Sequence, residues 1–116
     1  MLSEDDYVEK AGRELRLLLE AIDQELSDDC DTELESDILT LEFPDGARYV
    51  INSHRAARQI WMAAERTAWH FDWDPQQSCW IATKTRDELW AALRNTLSAK
   101  LGSETKLARP SDGKGA

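Results

Sequence analysis

Val8, Ala11, Leu15, Leu18, Leu19, Ile22 and Leu26 recur at intervals of three and four, which gathers them into one apolar stripe on a helix. Ser3, with Asp6 three residues on, has the form of a capping box at its start. The pattern predicts a first helix from Glu4 to Leu26. After Ser27 the period changes to two: Asp29, Asp31, Glu33 and Glu35 alternate with Cys30, Thr32 and Leu34, predicting a strand with a row of carboxylates on one face. Ser36 and Asp37 form a turn, and Ile38 to Phe43 then points Leu39, Leu41 and Phe43 to one side. Pro44, Asp45 and Gly46 supply the next turn, and Ala47 to Asn52 a third strand.

A polar connection from Ser53 to Arg58 leads to three further candidate strands, Gln59 to Ala63, Trp69 to Trp73 and Cys79 to Thr83. Asp74 to Gln77 marks the turn between the last two. Thr85 and Glu88 repeat the capping-box pattern, and Leu89, Leu93 and Leu97 form the stripe of a second helix that ends near Lys100. No strand–helix–strand crossover demands a parallel sheet. The order predicts an α+β fold: a two-layer sandwich in which both terminal helices cover one face of an antiparallel sheet of about six strands. The other face stays open, as antiparallel sheets permit. Residues 1–101 form the domain, and 102–116, rich in Gly, Ser and Lys, are expected to be a flexible tail.

Composition sharpens this picture in one place. The chain has 116 residues, 41% apolar and 32% charged, which suits one packed domain. No apolar run approaches the ~20 residues of a membrane-spanning helix, and the acidic N-terminus resembles neither a secretory signal nor a transit peptide. A cytoplasmic, bacterial-type protein is expected. The net charge of −9 is very unevenly distributed. Leu17 to Ala47 holds 11 acids and no Lys or Arg, whereas the remainder holds 12 acids and 14 bases. Such a field repels phosphate backbones, which argues against direct nucleic-acid binding, and attracts cations or a basic protein surface.

The candidate chemistry follows from that segment. Clustered carboxylates supply the oxygen ligands that hard or borderline cations prefer. Asp31, Glu33, Glu35, Asp37 and Glu42 fall at EF-hand positions, but Ser36 occupies the place of the obligatory Gly, and Ile38, Leu39 and Leu41 follow strand logic. The EF-hand is rejected. Cys30 and Cys79 form no CxxC pair, and His54 and His70 lack ligand spacing, so a structural zinc site is not expected. No catalytic triad, phosphate loop or HExxH motif occurs, which argues for a binding protein rather than an enzyme. Of the five tryptophans, Trp90 reads as core, while Trp61, between Ile60 and Met62, points to the open sheet face as a binding hot spot.

Asn52, Gln59-Ile60-Trp61, His70-Phe71-Asp72-Trp73, Trp80 and Leu89-Trp90, at their spacings and behind an acidic helix–strand segment, resemble bacterial members of the frataxin family over residues 4–101. The resemblance implies the same two-layer fold, weak binding of iron (Fe2+ or Fe3+) on the acidic ridge, and modulation of iron–sulfur cluster assembly. It implies the cysteine desulfurase IscS and the scaffold protein as partners of a chain that is monomeric without iron. Carried onto this sequence, the metal-binding candidates are Glu20, Asp23, Glu25, Asp28, Asp29, Asp31 and Glu33. The partner-binding candidates on the sheet face are Asn52, Gln59, Trp61 and Trp73. The chain departs from the family in two respects: Ala56 stands where a proline is common, and Arg55 and Arg58 add positive charge beside Gln59. The alternatives are a ferroxidase or iron-storage activity, which lacks a Glu-x-x-His signature, and an acidic module that mimics nucleic acid.

Overall fold

Helix α1 runs from Glu4 to Leu26, capped by the Ser3 hydroxyl, which accepts from the Asp6 amide at 3.1 Å. A computed structural model provides this description, which covers residues 2–110. The strands are β1 Asp31–Glu35, β2 Ile38–Glu42, β3 Arg48–His54, β4 Gln59–Ala64, β5 Thr67–Asp74 and β6 Cys79–Ala82. Helix α2, Leu89–Leu101, follows. All neighbouring strands are antiparallel and lie in sequence order, β1-β2-β3-β4-β5-β6, as a meander.

Turn chemistry fixes the register. Ser36 and Asp37 both take positive φ (53° and 62°), the pair that a two-residue hairpin needs to match the strand twist. This sets Glu35 opposite Ile38 and Asp31 opposite Glu42. Alternate residues then separate cleanly. Leu39, Leu41, Ile51, Ile60, Met62, Phe71 and Trp80 enter one core with Leu15, Leu18, Ile22, Leu89, Leu93 and Leu97 of the helices. Each such side chain stabilises the fold by roughly 1.5–3 kcal/mol on burial. Both helices therefore cover the same face of the sheet.

Several expectations are corrected in detail. Val8 is 38% exposed, and Tyr7 takes its place in the core, donating its hydroxyl to the Gln59 carbonyl at 2.7 Å. Strand β1 begins at Asp31 rather than Asp29, because the amides of Asp29 and Cys30 bond back to the Leu26 carbonyl and close the end of the helix. Glu88, not Thr85, is the N-cap of α2, its carboxylate accepting from the amides of Trp90 and Ala91.

The larger correction concerns the chain beyond Gly102. Gly102 ends α2 at φ 72°, a left-handed cap that favours glycine. The following residues then return to the core: Leu107 is 1% exposed and Thr105 8%. Arg109 donates to the buried Glu14 carboxylate at 2.8 and 3.0 Å, and the same carboxylate accepts from the Trp90 indole at 2.6 Å. The expected flexible tail is thus a packed strap as far as residue 110, and residues 111–116 lie outside the described part. Most of its residues are polar or small, but one leucine and one arginine anchor it.

Cys30 is buried, with its thiol directed at the Leu26 carbonyl 3.8 Å away. Burial, then the charges of Asp29 and Asp31, push that thiol up to about 11. Cys79 is less buried, and its upward shift comes from burial followed by Glu88. Because the thiolate is the reacting form, alkylation at pH 8 is expected to label Cys79 first and Cys30 only on unfolding, read by mass spectrometry of the intact protein. Equal labelling rates would contradict this burial.

Candidate metal and partner surfaces

The acidic segment occupies three consecutive places in the fold. Glu20, Asp23 and Glu25 are exposed on the last turns of α1, Asp28 and the half-buried Asp29 lie in the turn, and Asp31 and Glu33 project from β1. Strand β1 is the sheet edge, and Asp31, Glu33 and Glu35 share the open face with Glu42, Thr40 and Ile38, their partners on β2. The helical carboxylates belong to the opposite layer, so the turn at Asp28–Asp29 joins two groups.

At that junction Asp28, Asp29 and Asp31 line a cleft of about 310 Å³ together with Glu42. Glu42 is a fourth carboxylate, outside the set drawn from the sequence. Only the β1–β2 register brings it there, because it lies 11 positions beyond Asp31. Arg48 partly offsets it, at 3.6 Å, in an exposed pair. Among the described residues no three acidic, His or Cys side chains converge closely enough to hold an ion. The donor set therefore suits a hard cation by chemistry, yet it offers no closed coordination shell; side chains would have to rotate inward around a still partly hydrated ion.

The open face centres on Trp61. Ile60 and Met62, 0% and 1% exposed, point to the helices, so Trp61 points away, between Asn52 on β3 and His70 on β5. Its indole is stacked on both faces: the His54 ring lies 3.7 Å from it at 12°, and the His70 ring 4.1 Å at 11°. The indole N–H donates to Gln59 Oε1 at 2.7 Å, and Gln59 Nε2 donates to Asp72 Oδ1 at 3.0 Å. Asn52 Nδ2 donates to the Ser53 carbonyl at 3.0 Å. Trp61 is thereby fixed edge-on. Sequence spacing shows the two histidines only as unlinked to any nucleophile; their role as clamps depends on strand register, which sets His70 opposite Trp61 and His54 diagonal to it.

Replacing both clamps, His54→Ala with His70→Ala, is expected to return the Trp61 ring protons toward unstacked chemical shifts. Stability should fall by about 1–2 kcal/mol, the worth of two aromatic pairs at a partly exposed site. Unmoved Trp61 resonances would refute the stacking.

Trp73 is not on this face. It alternates in step with the fully buried Phe71 and stands opposite Trp80, meeting it edge-to-face at 5.5 Å between ring centroids. Lys10 of α1 lies over its ring, 4.7 Å from the centroid. The placement of Trp73 among the sheet-face partner residues is therefore corrected: two residues from Phe71 on a regular strand, it must share the helix-covered side. Asn52, Gln59 and Trp61 remain together on the open face.

Comparison with known proteins agrees with this architecture. Residues 1–103 match the family model of the frataxin-like domain. The iron-sulfur cluster assembly protein CyaY of Cupriavidus pinatubonensis is 33% identical over 110 residues, covering 91% of this chain and 96% of the relative. A Psychromonas ingrahamii frataxin superposes with a TM-score of 0.82 at 20% identity, over 93% of this chain and all (100%) of the other, a likeness of fold. A trimeric frataxin from Saccharomyces cerevisiae, in complex with ferrous iron, gives a TM-score of 0.62 at 27% identity, over 89% of each chain. With its two helices on one face of a six-stranded antiparallel meander and a family match over nearly its whole length, this chain belongs to the frataxin family.

Proposed function

We propose that this protein binds iron loosely on the carboxylates of α1, the following turn and β1, and modulates iron–sulfur cluster assembly by docking on the cysteine desulfurase IscS and the scaffold protein. The observation that carries this is the open arrangement at the α1–β1 junction, where Asp28, Asp29, Asp31 and Glu42 line one cleft without closing on a single point. Glu20, Asp23, Glu25 and Glu33 extend the same field to either side. An iron ion held there keeps much of its water and leaves readily, as suits delivery rather than storage. The relatives named for iron–sulfur cluster assembly and the yeast relative bound to ferrous iron support the same reading.

Docking follows from charge and from the open sheet. The acidic edge steers the protein toward a basic partner surface. Trp61, Asn52 and Gln59, held by their neighbours, supply a rigid apolar and polar centre for a contact, in the manner of a hot spot surrounded by weaker contacts. Without iron the protein acts as a cytoplasmic monomer. A ferroxidase reading requires a fixed set of converging ligands, and the described carboxylates do not supply one.

Anaerobic titration with Fe2+, followed by amide NMR, tests the metal site. Broadening is expected first at Asp28 to Glu33 and next at Asp23 and Glu25, with Trp61 unaffected at low stoichiometry. Broadening centred on His70 or Cys79 instead would overturn the assignment of the ridge.

A further inference from the structure

The two edges of the sheet end differently. The chain after β6 folds back along its own strand: the Ala82 amide donates to the Asp87 carbonyl at 2.8 Å, and Ile81 bridges Glu88. At the other edge β1 pairs only with β2. Which of its backbone groups are left over follows from the phase of the ladder. The Phe43 amide donates to the Ala47 carbonyl at 2.9 Å, and the Ser53 amide to the Asp37 carbonyl at 3.2 Å. In that phase Leu39 and Leu41 bond to β3, while Ile38, Thr40 and Glu42 bond to their β1 partners Glu35, Glu33 and Asp31. The amides and carbonyls of Thr32 and Leu34 therefore point outward, and among the described residues no other segment bonds to them. Such an edge is a template for a further strand, which proteins commonly block with charge or a bulge.

The charge on this edge has one sign. Asp31, Glu33 and Glu35 are exposed on the open face, and the whole segment from Leu17 to Ala47 holds no Lys or Arg. A second copy of β1 laid alongside is repelled, whereas a strand with Lys or Arg at alternate positions is attracted. Thr32 and Leu34 are half-buried on the side of the helices, which favours small or apolar residues between those bases. We infer that β1 accepts an extended basic segment of a partner protein as an added strand, its Lys or Arg side chains set against Asp31, Glu33 and Glu35. The outward groups of Thr32 and Leu34 supply backbone bonds that are indifferent to sequence, while the carboxylates set the register and reject other strands. This inference rests on the proposed docking to a basic surface and gives that docking a defined geometry.

Metal-free protein titrated with a capped peptide of alternating Lys and Val tests the inference by amide NMR and hydrogen exchange. The control is the same peptide methylated at every backbone nitrogen, which keeps the charge and removes the donors. The expected result is saturable binding of the first peptide with slowed exchange at the Thr32 and Leu34 amides, and at least tenfold weaker binding of the methylated one. Thr32→Pro, which removes an outward N–H but no bond to β2, should weaken the first peptide and leave the weak binding of the second unchanged. If Thr32→Pro does not fold, the peptide pair decides alone. Equal binding of the two peptides would overturn strand addition while leaving docking by charge in place. No saturable shift with the alternating peptide would also overturn strand addition, and docking by charge is then judged separately by reversing Asp28, Asp29 and Asp31.

Discussion

Ending the chain after Gly102 is expected to lower the free energy of unfolding by about 4–6 kcal/mol, a fall of roughly 15–25 °C in Tm for a domain of this size. Leu107 is 1% exposed and belongs to the same core as Leu15 and Phe71, so its loss opens a cavity as well as exposing apolar surface. Removing Arg109 takes two charge-assisted bonds from Glu14, a carboxylate whose side chain is only 5% exposed. A buried charge deprived of its partner is more costly than a pair that was never there. Leu107→Ala alone should account for about 2–4 kcal/mol of the loss. Introducing Glu14→Gln into the shortened chain should recover part of the remainder, since the amide oxygen can still accept from Trp90 without a buried charge. Denaturant unfolding of the three variants measures each contribution. A shortened chain within about 1 kcal/mol of the full one would show that the strap contributes packing of little energetic weight.

Reversing the junction carboxylates, Asp28→Lys with Asp29→Lys and Asp31→Lys, should weaken Fe2+ binding at least tenfold and weaken docking on the desulfurase comparably. Thermal stability should be kept or raised. The asymmetry has a physical basis. The first effect removes three oxygen donors and places three positive charges where the cation must approach. The second relieves crowding among like charges in a segment with 11 acids and no base. Because Asp31 stands directly opposite Glu42, the Asp31→Lys change also turns a repulsive cross-strand pair into an attractive one. Binding measured by calorimetry under anaerobic conditions, alongside a thermal melt, separates the two effects. Affinity and stability falling together would mean that these residues hold the fold rather than a ligand.

The elements themselves are legible in the sequence. The three- and four-residue spacing from Ala11 to Leu26, the alternation through β1 and β2, and the Pro44-Asp45-Gly46 turn are local features. Local sterics and hydrogen bonding act over the same few residues that the pattern spans. The direction of Trp61 is equally legible, because Ile60 and Met62 bracket it and strand alternation is strict. Carrying Trp73 over with Trp61 from the family resemblance puts it on the wrong face, although its spacing from Phe71 already fixes its side. The acidic ridge is visible as a charge count, since the count does not depend on the fold.

Contacts between residues distant in sequence come from packing alone. Glu42 joins Asp28, Asp29 and Asp31 through strand register, and the two histidines meet Trp61 through two successive pairings, none of which a local pattern encodes. The strap is the clearest case. Nothing in the composition after Gly102 marks Leu107 as core or Arg109 as the partner of Glu14, which lies 95 residues earlier. That choice rests on a core position that Leu107 fills and on a buried carboxylate needing a counter-ion. Both exist only once α1, α2 and the sheet have packed together.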